Sequence, residues 1–389
     1  MLRNLRGKIL SPLQLIIRDS RSLGIVLTVC AVTSLIISNS GWGSQYVQFW
    51  STEIRIPGSL SLPHTLLYWI NDFLMAIFFF MVGMEIKREL LEGELSDVKR
   101  AIIPIFAAIG GMVVPALIFS LVCRNTPFAA GWGIPMATDI AFSLGIASLL
   151  GSRVPVSLKI FLTALAIIDD LGAIGMIAIF YGGEVQWIYL FWAVVVAGLL
   201  FLLSKLPARN PWLQFMLAMI LWYMVYNSGI HATVAGVIFA FSIPRDQLSV
   251  AENRLHVPVN FIVLPLFALS NATFLIPGNI SFTLHHPLNI GVILGLWLGK
   301  PLGILLFCLL LVTLKWGKLP SKVNWLQLAG VGMLAGIGFT MSIFITTLAF
   351  PGQDSQDIAK IGVLLGSTLS MVTGSVMLLS FSKKLTTEK

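Results

Sequence analysis

Residues 156–181 read V-S-L-K-I-F-L-T-A-L-A-I-I-D-D-L-G-A-I-G-M-I-A-I-F-Y. Past Lys159 the run is apolar or small, apart from Thr163, Tyr181 and two adjacent aspartates at its middle. A helix needs about 20 mostly apolar residues to cross a hydrocarbon core, and this run supplies them. A charge at mid-bilayer costs about 2.5–3.5 kcal/mol on an insertion scale. Asp169 and Asp170 therefore carry the question: the chain is built for lipid, yet it keeps two carboxylates where lipid penalises them.

The rest of the chain has the same character. It is 389 residues long, 57% hydrophobic and 11% charged. A soluble domain carries about 25% charged residues, so this chain has too few to cover a globular surface. Apolar segments fall at 23–39, 65–86, 101–123, 128–149, 156–181, 187–204, 211–226, 229–243, 257–276, 290–314, 325–349 and 358–381. They predict an all-α membrane protein with about twelve spans in one domain over residues 1–389. Arg3, Arg6, Lys8, Arg18 and Arg21 precede the first span, and no small-residue cleavage site follows, so that helix is expected to stay attached.

The lysines and arginines set the orientation. With a cytoplasmic N-terminus, every one except Arg55, Arg124, Lys360 and Lys300 falls on the cytoplasmic side. Both termini are therefore expected there. The net charge of +8 is a topological signal and predicts no nucleic-acid partner. Cys30, Cys123 and Cys308 lie in or beside apolar segments at no metal-ligand spacing, and read as small core residues.

One stretch has the period of a strand. S-T-E-I-R-I-P-G-S-L-S-L (51–62) alternates polar and apolar residues about Pro57-Gly58. It predicts an external β-hairpin. A lone hairpin is marginal in water, and pairing with a second copy of the chain would support it.

Asp139, Asp169, Asp170 and Lys300 lie well inside spans, with Asp72 nearer a span end. Three acids against one base leave surplus negative charge, which suits a bound cation. Adjacent helical residues point about 100° apart, so Asp169 and Asp170 need not share a task. Lys300 is a partner for one of them. Glycines and prolines interrupt two spans: Gly131, Gly133 and Pro135 before Thr138-Asp139, and Gly330, Gly332, Gly336 and Gly338 in the eleventh span. Paired interrupted helices are a pointer to an inverted-repeat transporter, with exposed carbonyls and helix ends able to coordinate a cation. Carboxylates, the Thr138 hydroxyl and carbonyls are hard ligands suited to Na⁺ or Li⁺. Close carboxylates also titrate as a coupled set. A site that holds either protons or Na⁺ makes the two compete, and alternating access turns competition into exchange.

A-T-D-I-A-F (137–142), L-K-I-F-L-T-A-L-A-I-I-D-D-L-G-A-I (158–174), G-I-H-A-T-V-A-G-V (229–237), L-G-K-P-L-G-I (298–304) and G-I-G-F-T-M-S-I-F-I (336–345) closely resemble the NhaA family of Na⁺/H⁺ antiporters. The resemblance runs from Trp69-Ile70-Asn71-Asp72 onward. It implies crossed fourth and eleventh helices, a bacterial inner-membrane location and a homodimer built on the external hairpin. It also implies electrogenic exchange with more protons than sodium ions per cycle, and no cofactor. By position, Asp169 and Asp170 match the family's essential pair and Asp139 the acid on its broken helix. Together these three are the expected Na⁺ ligands. Lys300 matches the lysine that pairs with the first aspartate of the doublet.

The resemblance further implies a cytoplasmic pH-sensing region. Glu85, Arg88 and Glu89 lie on one helix face, and Glu252 and His256 precede the ninth span. On spacing alone, Glu85, Arg88 and Glu89 read as an interfacial salt-bridge cluster. Asn253 stands where the family pattern has another histidine, and Asn does not titrate. His231 is expected as a modulator or as polar packing. Two other classes share part of this pattern. An intramembrane aspartyl protease also uses two buried aspartates, but Ile167-Ile168 precede the doublet here instead of a Gly-x-Gly-Asp motif. A passive cation channel needs no such set of proton-trading groups.

Overall fold

The computed structural model describes residues 20–54, 61–206, 210–276, 283–319 and 323–381. Each of the twelve apolar segments falls on a helix. In chain order these are α1 (Ser20–Ser38), α2 (Gly43–Trp50), α3 (Leu66–Glu92), α4 (Val98–Val122), α5 (Ile140–Leu149, after a 3-10 segment over Ala129–Met136), α6 (Val156–Phe180) and α7 (Trp187–Ser204). They continue with α8 (Pro211–Asn227), α9 (Thr233–Ser242), α10 (residues 245–271), α11 (Pro287–Thr313), α12 (Trp325–Ala335), α13 (Phe339–Ala349) and α14 (Gln353–Phe381). Among the described residues, seven helices are long and apolar enough to cross a membrane, or nine if each of two bent pairs counts as one span.

The difference from twelve has local causes. The helices α8 and α9 have 17 and 10 residues, at and below the short end of the usual length for a crossing. The first part of α10, Arg245–Pro258, is polar, and only its continuation is apolar. The pair α12–α13 bends by 47° at a break.

Close backbone approach organises the interior. Where α4 crosses α11, a Cβ on Gly110 would lie 2.3 Å from the Gly303 carbonyl oxygen, so no larger residue fits. That contact brings Lys300, about one turn before Gly303, against the centre of the bundle, where its side chain is fully buried. Three π-helical turns interrupt the described helices: Trp69–Leu74, Val259–Val263 and Gly295–Gly299. One contains Asp72, one contains Asn260, and one ends immediately before Lys300. Such turns concentrate at functional sites because they re-aim side chains. Nothing in the apolar pattern marks them.

Two expectations gain detail here. Lys360, expected toward the external side by charge counting, lies near the start of α14 and is packed inside the bundle at 3% exposure. The hairpin is described only at its base. Glu53 and Thr65 form one antiparallel bridge, and the Ile54 N–H donates to the His64 carbonyl at 2.8 Å. The expected Pro57-Gly58 turn lies outside the described residues.

Candidate functional site

Two helix breaks meet at the centre. Residues 137–139 are extended between the 3-10 segment and α5, and Ile337-Gly338 are non-helical between α12 and α13. The breaks bond to each other: the Asp139 N–H donates to the Ile337 carbonyl at 2.7 Å, and the Ser342 hydroxyl donates to the Ile134 carbonyl at 2.8 Å. Gly338 and Phe339 N–H groups, freed by the break, both donate to Ser367 Oγ at 3.2 Å. Each backbone group released by a broken helix in lipid needs a partner, and neighbouring helices supply it.

Gly336 sits at a close backbone approach, where a Cβ would lie 2.3 Å from the Leu296 carbonyl oxygen. Gly336→Val is therefore expected to destabilise the fold by about 1–3 kcal/mol through overpacking. Thermal unfolding in detergent checks this, and an unchanged midpoint would refute the close approach.

The helix ends are matched by the protein's own charges. Asp139 caps α5, its Oδ1 accepting from the Phe142 N–H at 3.1 Å. Its Oδ2 accepts from the Thr340 N–H at 3.0 Å and from the Thr340 hydroxyl. The positive ends of α5 and α13 thus converge on one carboxylate. On the opposite side, Lys300 Nζ donates to the Met136 carbonyl, where the 3-10 segment ends. The same ammonium lies 2.7 Å from Asp169 Oδ2, with both side chains fully buried. The sequence reading left these ends for a cation to use; in the fold Asp139 and Lys300 already neutralise them. An uncompensated helix end in lipid is costly, which is the physical reason.

Thr138 Oγ1 lies 2.7 Å from Asp169 Oδ2 and 2.8 Å from the Ala335 carbonyl. Its single proton serves one of them at a time. Asp169 and Asp170 diverge as adjacent helical residues must. Asp169 turns to Lys300, while Asp170 turns to a cavity of about 280 Å³ and has a buried Oδ1 without a hydrogen-bond partner. Thr138, Asp139 and Thr340 line that cavity together with Asp170. Glu85, Glu252, His256 and Asn260 line it as well. Among the described residues no three His, Cys, Asp or Glu side chains form a metal-holding group. Asp139 and Asp170 both line the cavity, whereas Asp169 is not in its wall and pairs with Lys300.

The expected sensor residues come together across two helices. Arg88 Nε donates to Glu252 Oε2 at 3.0 Å, and Arg88 Nη1 donates to Glu89 Oε1 at 2.9 Å. Asn253 faces outward, and its amide donates to the Ser249 carbonyl at 2.7 Å. His231 stands apart from this group. Its Nε2 lies 3.3 Å from Asp72 Oδ1, and its Nδ1 lies 2.9 Å from Thr233 Oγ1.

Sequence reasoning missed Thr340, Asn260 and Lys87. Thr340 follows a glycine-marked break, as Thr138 does, and that parallel was available. Lys87 donates to the Phe241 and Ile243 carbonyls at 2.7 and 2.5 Å and so caps the C-terminal end of α9. No periodicity could have shown a contact between residues so far apart in the chain.

The profile of the family described as Na⁺/H⁺ antiporter 1 matches residues 14–378. The Na⁺/H⁺ antiporter NhaA 2 of Flavobacterium johnsoniae is 45% identical over 374 residues, covering 94% of this chain and 92% of that protein. The chain belongs to the Na⁺/H⁺ antiporter 1 family. The NhaA proteins of Tolumonas auensis and Shewanella sp. (strain W3-18-1) are 48% and 49% identical, over 91% and 90% of this chain and 92% and 93% of theirs. Membership makes this antiporter-family chain a multi-pass membrane transporter rather than an enzyme, so the protease reading is set aside.

Proposed function

We propose that the chain exchanges cytoplasmic Na⁺ or Li⁺ for external protons at a site built on Asp139 and Asp170. The observation that carries this reading is the cavity of about 280 Å³ lined by both of those carboxylates, while Asp169 is neutralised by Lys300. The Thr138 and Thr340 hydroxyls, which line the same cavity, supply further hard oxygens. Carboxylates must be deprotonated to hold the cation, so Na⁺ binding releases protons and protons displace Na⁺. Two carboxylates release up to two protons for one Na⁺, and that imbalance makes exchange electrogenic. Asp169 and Lys300 set the charge balance beside the site. No cofactor is called for, because the transported ions are the substrates.

The same reading places the chain in the bacterial inner membrane with twelve crossings and both termini cytoplasmic. The broken segments at 128–149 and 325–349 act as the crossed pair of an inverted repeat. Inside-out vesicles test the function: Na⁺ added to the medium around vesicles with an acidified lumen should drive proton efflux. An unchanged lumenal pH would overturn the assignment.

A second layer of pH control is supported by the Arg88–Glu252 bridge at 3.0 Å beside the same cavity. Glu85, Arg88, Glu89, Glu252 and His256 form this layer, and His231 modulates from its pair with Asp72. Glu252→Gln removes the charge that holds Arg88. It should move the midpoint of activity against pH while leaving maximal exchange largely intact. A midpoint that stays in place, with only Na⁺ affinity tracking pH, would reduce all pH control to competition at the aspartates.

The homodimer rests on the external segment 51–62. Deleting residues 53–62 should weaken dimers on native gels and leave exchange by each protomer in place. Dimers of unchanged stability would move the interface elsewhere.

A further inference from the structure

A second cavity lies away from the aspartates, at the end of the bundle where α4 and α6 begin and α11 ends. Its volume is about 770 Å³. Lys99, Arg100, Lys315 and Lys318 line it, and all four are exposed. Glu94 is the one acidic residue in its wall. Arg100 has a loose ion pair with Asp97 at 3.7 Å, both side chains more than half exposed, which is worth little. Lys99 and Arg100 occupy the first turn of α4, where the helix dipole disfavours cations. Helix stability therefore does not explain them.

The lower wall is apolar. Ile103, Ile160 and Phe161 line the groove below the charges. Val98 and Val156, at the starts of α4 and α6, are 76% and 71% exposed, as side chains facing lipid are. Trp316, also in the wall, is 63% exposed between Lys315 and Lys318, in keeping with an indole at the headgroup level. Topological bias alone distributes cations among loops. Here two separate connections converge four cations on one groove with an apolar floor.

We propose that this groove binds the headgroup of an anionic phospholipid, with the acyl chains running along α4 and α6. Basic pockets between membrane helices take anionic headgroups on charge and shape. The proposal rests on the membrane setting and not on the exchange mechanism.

The test uses the full-length protein in detergent, offered phosphatidylglycerol or phosphatidylcholine and analysed by native mass spectrometry. Wild type should retain phosphatidylglycerol several-fold over phosphatidylcholine. K99Q/K315Q/K318Q should lose that preference, whereas R153Q/K205Q/R254Q, which neutralises as many cations outside the groove wall, should keep it. Should the first triple variant aggregate, K315Q/K318Q in the exposed loop gives the same reading. Equal retention of both lipids by wild type, or full retention by the groove variants, would overturn the site. Equal loss in the control would show bulk charge only. Displacement of the lipid by excess inorganic phosphate would show a small-anion site instead.

Discussion

Asp170→Asn is expected to abolish Na⁺-driven proton movement, down to the level of vesicles without the protein, while the fold survives. The substitution keeps side-chain volume and removes the charge. Asp170 Oδ1 has no hydrogen-bond partner to lose, and its neighbours on the cavity wall include Asp139 and Glu85. Removing a negative charge from that company relieves repulsion, so melting in detergent should hold or rise. Na⁺ binding should vanish, because an amide offers one carbonyl in place of a charged pair of oxygens. Wild-type exchange by a well-folded Asp170→Asn protein would remove Asp170 from the site.

Lys300→Ala is expected to act on stability first. The ammonium lies 2.7 Å from Asp169 Oδ2 and also donates to the Met136 carbonyl, with no exposure on either charged side chain. Breaking one half of a buried ion pair costs about 3–5 kcal/mol, because the remaining charge is left unpaired in a medium of low polarity. The thermal midpoint in detergent should fall by several degrees. Adding Asp169→Asn to Lys300→Ala should recover part of that loss, since the orphaned charge is then gone. Two losses that simply add would show that the residues do not act as a pair. Exchange should survive in part, because Asp139 and Asp170 still share the cavity.

Composition and periodicity made the membrane class legible, because lipid leaves few ways to satisfy a backbone. The buried charges were legible for the same reason: a carboxylate in an apolar run has no bland explanation. Even the divergence of Asp169 and Asp170 followed from helical geometry, and Lys300 was found as the partner. The partition of the three aspartates was not legible. It depends on which of them Lys300 reaches, and that is set by the approach of Gly110 to Gly303 across the bundle. Thr340 was hidden because its bond to Asp139 joins residues about two hundred positions apart. The burial of Lys360 was not legible, because charge counting knows loops and spans but not packing. The π turns beside Asp72, Asn260 and Lys300 leave no mark on a hydropathy pattern at all.

The central claim is that one pair of carboxylates holds either protons or Na⁺. Isothermal titration of the purified protein with Na⁺, repeated in buffers of different protonation enthalpy and across a range of pH, measures affinity and proton release together. Each Na⁺ bound should release protons, and apparent affinity should weaken as pH falls, up to about tenfold per pH unit for each proton displaced. In Asp170→Asn both signals should disappear. Na⁺ binding of constant affinity across pH, with no protons released, would contradict the shared site.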